Sequence, residues 1–543
     1  MNHDIFTLQR SVCGSIQEAA DSLGAGDIKA TLERPKDKSH GDFATPIAML
    51  LAKKLKTSPM AIVQDLLQKT RLDPGLILKA EAAAPGFINF KIQPTVYYSG
   101  LENTLSQEKL FGSNDQLKNQ KLLLEFVSAN PTGPLNIVSA RAAALGDSIA
   151  NLLEASGADV SREYYVNDAG VQARLFGESL LAACERLGGK NTSAPENGYQ
   201  GAYMEDLGRT YLALANRPEA GFWGMDQIIQ WHKKSLESYG VSFNKYFSEK
   251  KELHDTGLVR QTIELLKKGG LTYEQEGALW IKVSNFGSPK DEVIVKSDGQ
   301  PAYFVADIAY HLNKFKRGFN RVVDIWGPDH HGHILRMKSA LRALGCPVDD
   351  FAVLIAQQVN LMEGSEKVKM SKREGKFVTM DELLEQVGRD AARFFFVMRS
   401  ANSHLDFDIA VAKKQTDENP VFYIQYAHAR ICSLLRRCEE SGLRPARKAA
   451  EFVSLVEPES FLLLKEIMEY PQWVVESGKA YEPHRIVAYL QALAGYFHVF
   501  YAKHRILDAP QETARARLSL ALGVKTVLGN ALGLLGVSAP EKM

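Results

Sequence analysis

The sequence predicts an α/β fold built on a doubly wound parallel sheet, with a small α+β unit before it and an all-helical bundle after it. Three observations carry this. An apolar run, "KLLLEFVS", leads into an Ala-rich helical stretch and then into a second strand-like run, "DVSREYYVND", which is a βαβ pattern. Helical patterns in residues 1 to 112 flank short alternating segments such as "GFINFKI". From residue 405 onward nearly everything has helical period.

In chain order, "TLQRSVCGSIQEAADSLG" and "TPIAMLLAKKLKTSPMAIVQDLLQKT" read as amphipathic helices of the first unit, and the polar stretch "LSQEKLFGSNDQLKNQ" closes it. The second unit, 118–404, begins with the βαβ pattern, whose helix "ARAAALGDSIANLLEASG" stops at a glycine. Residues 172–290 are mixed and read as an insertion, because loops at the C-terminal edge of a sheet tolerate added chain. "PAYFVADIAYHLNKF", "RVVDIWGPDHHGH" and "DFAVLIAQQVNL" then resume the alternation of strand and helix. In 405–543, "PVFYIQYAHARICSLLRRCEESG", "SFLLLKEIMEYPQWVVESG", "PHRIVAYLQALAGYFHVFYAKHRI" and "ARARLSLALGVKTVLGNALGLLG" supply the bundle.

Composition narrows the class. A chain of 543 residues exceeds one core, so about two to four domains are expected. Hydrophobic residues at 45% and charged residues at 24% are those of an ordinary soluble protein. No apolar run is long enough for a transmembrane helix, and Asp4, Glu18 and Asp21 argue against a signal peptide. The cysteines, Cys13, Cys184, Cys346, Cys432 and Cys438, form no CxxC pair, which fits reduced thiols and a cytoplasmic location. Net charge is +1, so any RNA site must be a local face.

Four stretches could carry chemistry. "EKVKMSKREGKFVT" crowds Lys367, Lys369, Lys372, Arg373 and Lys376 between Gly364 and Gly375. Such a loop could close on a polyphosphate with mobile ammonium charges, or be a solvated basic loop. "WGPDHHGH" offers Asp329, His330, His331 and His333 at the end of an apolar run. Its spacing does not suit zinc, and a switch-point loop touching a nucleotide, or a packed turn, fits better. In "AYFVADIAYHL", Tyr303 and Asp307 share a helix face, and the carboxylate could grip a guanidinium or cap the helix. Finally, "GPLNIVSARAAALGD" turns a strand into a helix, and a helix start attracts anions. Neither GxxxxGK[ST] nor GxGxxG is present there.

Together these residues resemble the class I aminoacyl-tRNA synthetases, and within them the arginyl-tRNA synthetases. "VKMSKREG" is similar to the KMSK loop, with Lys369, Met370, Ser371 and Lys372 at its four positions. "EFVSANPTGPL", "REYYVNDAG", "AYFVADIAYHL", "WGPDHHGH", "NPVFYIQYAHARI" and "PGFINF" are also arginyl-type. The resemblance implies a Rossmann-type catalytic domain, an N-terminal domain that meets the tRNA D-loop and a helical anticodon-binding domain. It implies activation of L-arginine by ATP with Mg²⁺, transfer to tRNA(Arg), no tightly bound metal, no membrane partner and a monomer. Lys369 and Lys372 with Asn136 and Ser139 would be catalytic. Those four, with Met370, Ser371, Asp329, His330 and His331, would bind ATP. Glu125, Ser128, Asn130, Asn167, Tyr303 and Asp307 would bind arginine. Asn89, Tyr423, Tyr426 and Arg430 would bind tRNA.

One departure stands out. The family's signature is His-hydrophobic-Gly-His, and this chain has Asn136, Ile137, Val138 and Ser139. An amide and a hydroxyl preserve hydrogen-bond donation in kind. Losing one such donor outright costs about 3–4 kcal/mol of transition-state stabilisation. Val138 adds a branched side chain where the family's glycine lets adenine approach. A tRNA-binding relative without catalysis is the competing reading and predicts decay elsewhere, which the other motifs do not show. A small-molecule nucleotidyltransferase leaves the long helical C-terminal part unexplained.

Overall fold

The computed structural model describes residues 4–35, 37, 40–364, 366–367 and 378–543. The first unit places helices α1 (Ile5–Ser22), α2 (Ile47–Leu55) and α3 (Pro59–Lys69) around a three-stranded antiparallel sheet. Its strands are β1 (Phe43–Thr45), β2 (Ile77–Ala83) and β3 (Phe87–Ile92), with β3 central. Asp4 caps α1 by accepting from Thr7 N at 2.7 Å, and Ile5, Leu8, Val12, Ile16 and Ala19 form its buried stripe. Helix α4 (Pro94–Gln107) leads out of this unit.

The second unit opens with β4 (Lys121–Glu125), α5 (Ile137–Ala155) and β5 (Asp159–Val166). Leu122, Leu123 and Leu124 are all buried, as a strand covered on both faces requires. Helix α5 lies so close to the chain after β4 that a Cβ on Gly146 would sit 2.2 Å from the Phe126 ring. Helices α6 (Val171–Leu187), α7 (Ala202–Leu212) and α8 (Ala220–Ser238) follow, then β6 (Lys245–Ser248) and α9 (Leu258–Lys268). A small antiparallel sheet comes next, of β7 (Thr272–Gln275), β8 (Ala278–Ile281) and β9 (Glu292–Val295). Helix α10 (Tyr303–Lys316), β10 (Arg321–Trp326), α11 (His331–Ala343) and β11 (Phe351–Ile355) return to the main sheet.

That sheet has the order β11-β10-β4-β5-β6 and is parallel throughout. The stretch 172–290 is therefore not all insertion. Its strand β6 pairs with β5, Tyr164 against Tyr246, and forms the sheet edge. The chain leaves β4 toward β5 and β6, then crosses back to β10 on the other side. The switch point lies between β4 and β10, and ligands bind beyond the carboxyl ends of strands at such a point.

Strands β12 (Val359–Glu363), β13 (Glu366–Lys367) and β14 (Leu405–Asp408) form a third small sheet around helices α12 (Met380–Val387) and α13 (Arg389–Val397). Thr379 and Glu382 make a reciprocal capping box at the start of α12. The short α14 (Ile409–Ala412) leads to the bundle of α15 (Pro420–Glu440), α16 (Pro458–Ala480), α17 (His484–Lys503) and α18 (Gln511–Leu534). The first unit docks on α16. Arg34 meets Glu469 at 2.9 Å and lies 4.3 Å over the Trp473 ring, and Lys465 reaches Asp42 at 3.4 Å. No helix among the described residues is long and apolar enough to cross a membrane.

Candidate active site

Three carboxylates sit side by side across the sheet. Glu163 on β5, Glu125 on β4 and Asp324 on β10 share one register row. Helix α10 answers with cations. Lys314 Nζ lies 2.5 Å from Glu125 and 2.8 Å from Asp324, while Arg317 takes both oxygens of Glu163 at 2.6 and 2.9 Å. His311 adds a 2.8 Å contact to Asp324, and the Tyr310 hydroxyl donates to Glu163 at 2.8 Å. Burial pushes the Asp324 carboxyl up, but Lys314 and His311 outweigh it and hold the group below the usual range. At Glu125 burial wins over Lys314 and the carboxyl is pushed up, with Asp324 adding to the rise.

Above this row the chain after β4 is strained. Val127 and Ser128 have φ of 69° and 39°, the left-handed region that a branched residue such as valine disfavours. The bend aims the Ser128 hydroxyl inward. It donates to Glu125 at 2.8 Å and accepts from Tyr165 N at 3.1 Å. Asn167 donates to Asn130 at 3.4 Å across the same opening.

These residues line a cavity of about 330 Å³ at the switch point. Glu125, Ser128, Asn130, Asn167, Asp307 and His330 all face it. So do His333, from the stretch read as a switch-point loop, and Tyr165, His311 and Trp326, which the sequence did not nominate as binding residues. Asp307 is in the second turn of α10 and not at its start, so it caps nothing. Its carboxylate is 3.3 Å from His333. Tyr165 is bonded to Glu249, and burial first, then Glu249, Asp307 and Glu125, pushes its hydroxyl far up. The cavity is thus an acidic pocket with aromatic walls, suited to a cation that carries its own hydrogen-bond donors.

The other nominated residues sit elsewhere. Tyr303 is the first residue of α10, 66% exposed and outside the cavity wall. Asp329 and His331 are exposed on the turn into α11, next to His330. Among the described residues no group of three or more His, Cys, Asp or Glu is placed to hold a metal ion. Lys369, Met370, Ser371 and Lys372 lie outside the described residues.

The start of α5 needs a correction. It is not an open anion cradle, because Asn136 caps it. Asn136 Oδ1 accepts from Val138 N and Ser139 N, both at 3.0 Å, and from the Ser139 hydroxyl at 3.3 Å. With its oxygen so occupied, the Asn136 side chain keeps its amide NH₂ as a donor. Five residues on, Arg141 is fully buried and donates to Gln357 O, Ser400 O and Ser403 O at 2.8–2.9 Å, tying α5 to two loops. Burial lowers its guanidinium to about 10.

On the bundle, Tyr426 stacks on Phe422, their rings nearly parallel at 6.3 Å. Tyr423 packs on His498 at 4.8 Å, and Arg430 covers Tyr501 at 4.6 Å and Tyr426 at 5.8 Å. The sequence pointed to Tyr423, Tyr426 and Arg430; Phe422, His498 and Tyr501 complete the platform from the same helix and from α17. Asn89 lies on the central strand β3 and is 6% exposed, so it presents little surface to RNA. A larger cavity of about 620 Å³, lined by Arg447 and Lys525 among others, contains none of the nominated residues.

Residues 100–207 and 220–406 match the family model described as tRNA synthetases class I (R), catalytic domain. Residues 7–92 match the arginyl tRNA synthetase N terminal domain, and 424–543 match the DALR anticodon binding domain. An arginine–tRNA ligase from Desulforamulus reducens is 46% identical over 99% of this chain and 97% of its own length. One from Carboxydothermus hydrogenoformans is 44% identical over 99% and 100%. The solved arginyl-tRNA synthetase of Thermus thermophilus superposes with a TM-score of 0.79 at 22% identity, covering 99% of this chain and all of that one, and shares the fold.

Proposed function

The chain belongs to the class I arginyl-tRNA synthetase family, and on that premise we propose how its own residues carry the family's reaction. The enzyme activates L-arginine with ATP and transfers the arginyl group to tRNA. The observation that supports our site assignment is the acidic cavity at the switch point. Asp307, with His333 beside it, takes the guanidinium, while Tyr303, one turn earlier on α10, stands exposed outside the cavity wall. Glu249 adds a second carboxylate behind Tyr165. Ser128, Asn130 and Asn167 hold the amino-acid end, while Glu125 holds Ser128 in place and itself accepts from Lys314.

ATP lies beside this cavity, toward the start of α5 and the turn that carries Asp329, His330 and His331. Magnesium arrives as the counter-ion of ATP and belongs to the substrate. The arginine carboxylate attacks the α-phosphate, the bond to pyrophosphate breaks, and charge builds on the phosphate oxygens. The Asn136 amide donates to those oxygens, and Lys369 and Lys372, assigned by their match to the KMSK motif, supply positive charge. The platform of Tyr423, Tyr426 and Arg430 offers stacking faces to unpaired bases of the anticodon loop.

The test is attachment of radiolabelled arginine to tRNA by the purified protein with ATP and magnesium. Stable, arginine-specific attachment is expected. Tight tRNA binding with no arginine attached would instead favour the RNA-binding reading.

A further inference from the structure

Helix α8 touches two segments, the loop before α5, whose start the proposed reading sets beside the phosphates, and the start of α12. On one side His232 Nε2 lies 2.7 Å from Gly133 O, just before α5. Burial lowers the His232 imidazole to about 4, so the ring is neutral near pH 7 and its single N–H points at that carbonyl. Its Nδ1 faces the Tyr164 hydroxyl at 2.9 Å, and that hydroxyl is also 2.9 Å from Ala129 O. Tyr203 on α7 donates to Thr132 O at 2.8 Å. The loop 129–133 is therefore held at three carbonyls.

On the other side, Trp231 Nε1 and the Ser235 hydroxyl both donate to one carboxylate oxygen of Asp381, each at 2.9 Å. Asp381 opens α12, which follows Lys369 and Lys372 in the sequence. The two segments also meet directly. Met380 N donates to Leu135 O at 2.8 Å, and Asn136 bridges to Thr379. The helix that spans them is itself fixed. A Cβ on Gly221 would lie 2.3 Å from Ala173 O, so α8 is seated directly on the backbone of α6.

We propose that α8 is a brace that sets the spacing between the start of α5 and the start of α12, making His232, Trp231 and Ser235 positioning residues for adenylate formation. None of them lines the cavity assigned to arginine. The proposal rests on the functional reading above. Its content is that a shift of the brace misplaces donors around the phosphates while leaving the guanidinium pocket intact. Misplacement by about 1 Å costs on the order of 100-fold in rate.

The experiment is arginine-dependent exchange of pyrophosphate into ATP, with tRNA present, for wild type, His232→Ala, His232→Gln, Trp231→Phe/Ser235→Ala and Asp381→Asn. Active-site concentration is fixed by titration. The brace predicts that His232→Ala and the Trp231/Ser235 double variant lose about 10–100-fold in kcat with a raised KM for ATP and an unchanged KM for arginine. Glutamine at 232 can still donate to Gly133 O, and asparagine at 381 can still accept, so both should recover most of the rate. A purely structural role would lower the melting temperature and leave kcat per active site and both KM values unchanged. That outcome, or equal rises in the two KM values, overturns the brace. A wild-type protein that exchanges nothing overturns the functional reading instead, so the two failures are told apart.

Discussion

Glu125 and Asp324 occupy matching register positions on adjacent parallel strands, and one ammonium, that of Lys314, bonds both. Lys314 is fully buried, so this is a paired charge under the cavity floor and not a surface contact. Its removal leaves two carboxylates facing each other without water. Breaking a buried pair this way costs about 3–5 kcal/mol. Lys314→Met is expected to lower the midpoint of chemical unfolding accordingly, and adding Glu125→Gln should recover part of the loss. An unchanged midpoint would show that the pair contributes little.

Asp307→Asn keeps the shape of the cavity wall and removes its charge. A charged hydrogen bond is worth about 1.5–3 kcal/mol, which corresponds to a rise in KM for arginine of about 10-fold or more. The affinity for tRNA, measured separately by filter binding, should not move. An unchanged arginine KM would place the guanidinium elsewhere.

Glu469 gives the docking of the first unit on α16 a pH signature. Burial pushes its carboxyl up to about 7 against the pull of Arg34 and Lys465. The folded value lies above the unfolded one, so the folded state holds the proton more tightly. The contribution is full below about 4.5 and is lost as pH rises through about 7. Melting temperatures measured from about pH 5 to 8 should fall more steeply for wild type than for Glu469→Gln. Parallel curves would contradict this.

Tyr426→Ala removes the ring that stacks on Phe422 and lies under Arg430. Stacking of a base on an aromatic ring is worth about 1–3 kcal/mol. Binding of tRNA should weaken by about that amount, with KM for arginine unchanged. Equal tRNA affinity in wild type and variant would remove this platform from the RNA interface.

What the sequence disclosed followed from local pattern. The leucines of β4, the Ala-rich α5 and the long apolar stripes after residue 405 are visible because each element's burial is written within one short run. Strand β6 was hidden because four residues, Lys245–Ser248, carry too little periodicity to stand out among helical neighbours. Asp307 and Ser128 stand in stretches that a motif marks and both line the cavity, whereas Tyr303, marked by the same stretch as Asp307, lies outside its wall. The row of Glu163, Glu125 and Asp324 was not readable, since it exists only when three strands align and Lys314 and Arg317 come over them from α10. Glu249 and His232 gave no local signal either, because their meaning lies in the partners Tyr165 and Gly133 that the fold delivers. The cap at Asn136 was legible in principle, as asparagine before a helix is a preferred capping residue.

The Asn136 amide stands where the family's signature has an imidazole. Asn136→Asp keeps the capping oxygen while replacing the NH₂ donor with an oxygen that repels phosphate, so its effect is at least that of losing the donor. The decisive measurement is the single-turnover rate of arginyl-adenylate formation by this variant, with tRNA present and ATP saturating. A fall of about 10²–10³ with an unchanged melting temperature is predicted. A rate within about threefold of wild type, a difference far smaller than the loss of one such donor, would contradict it.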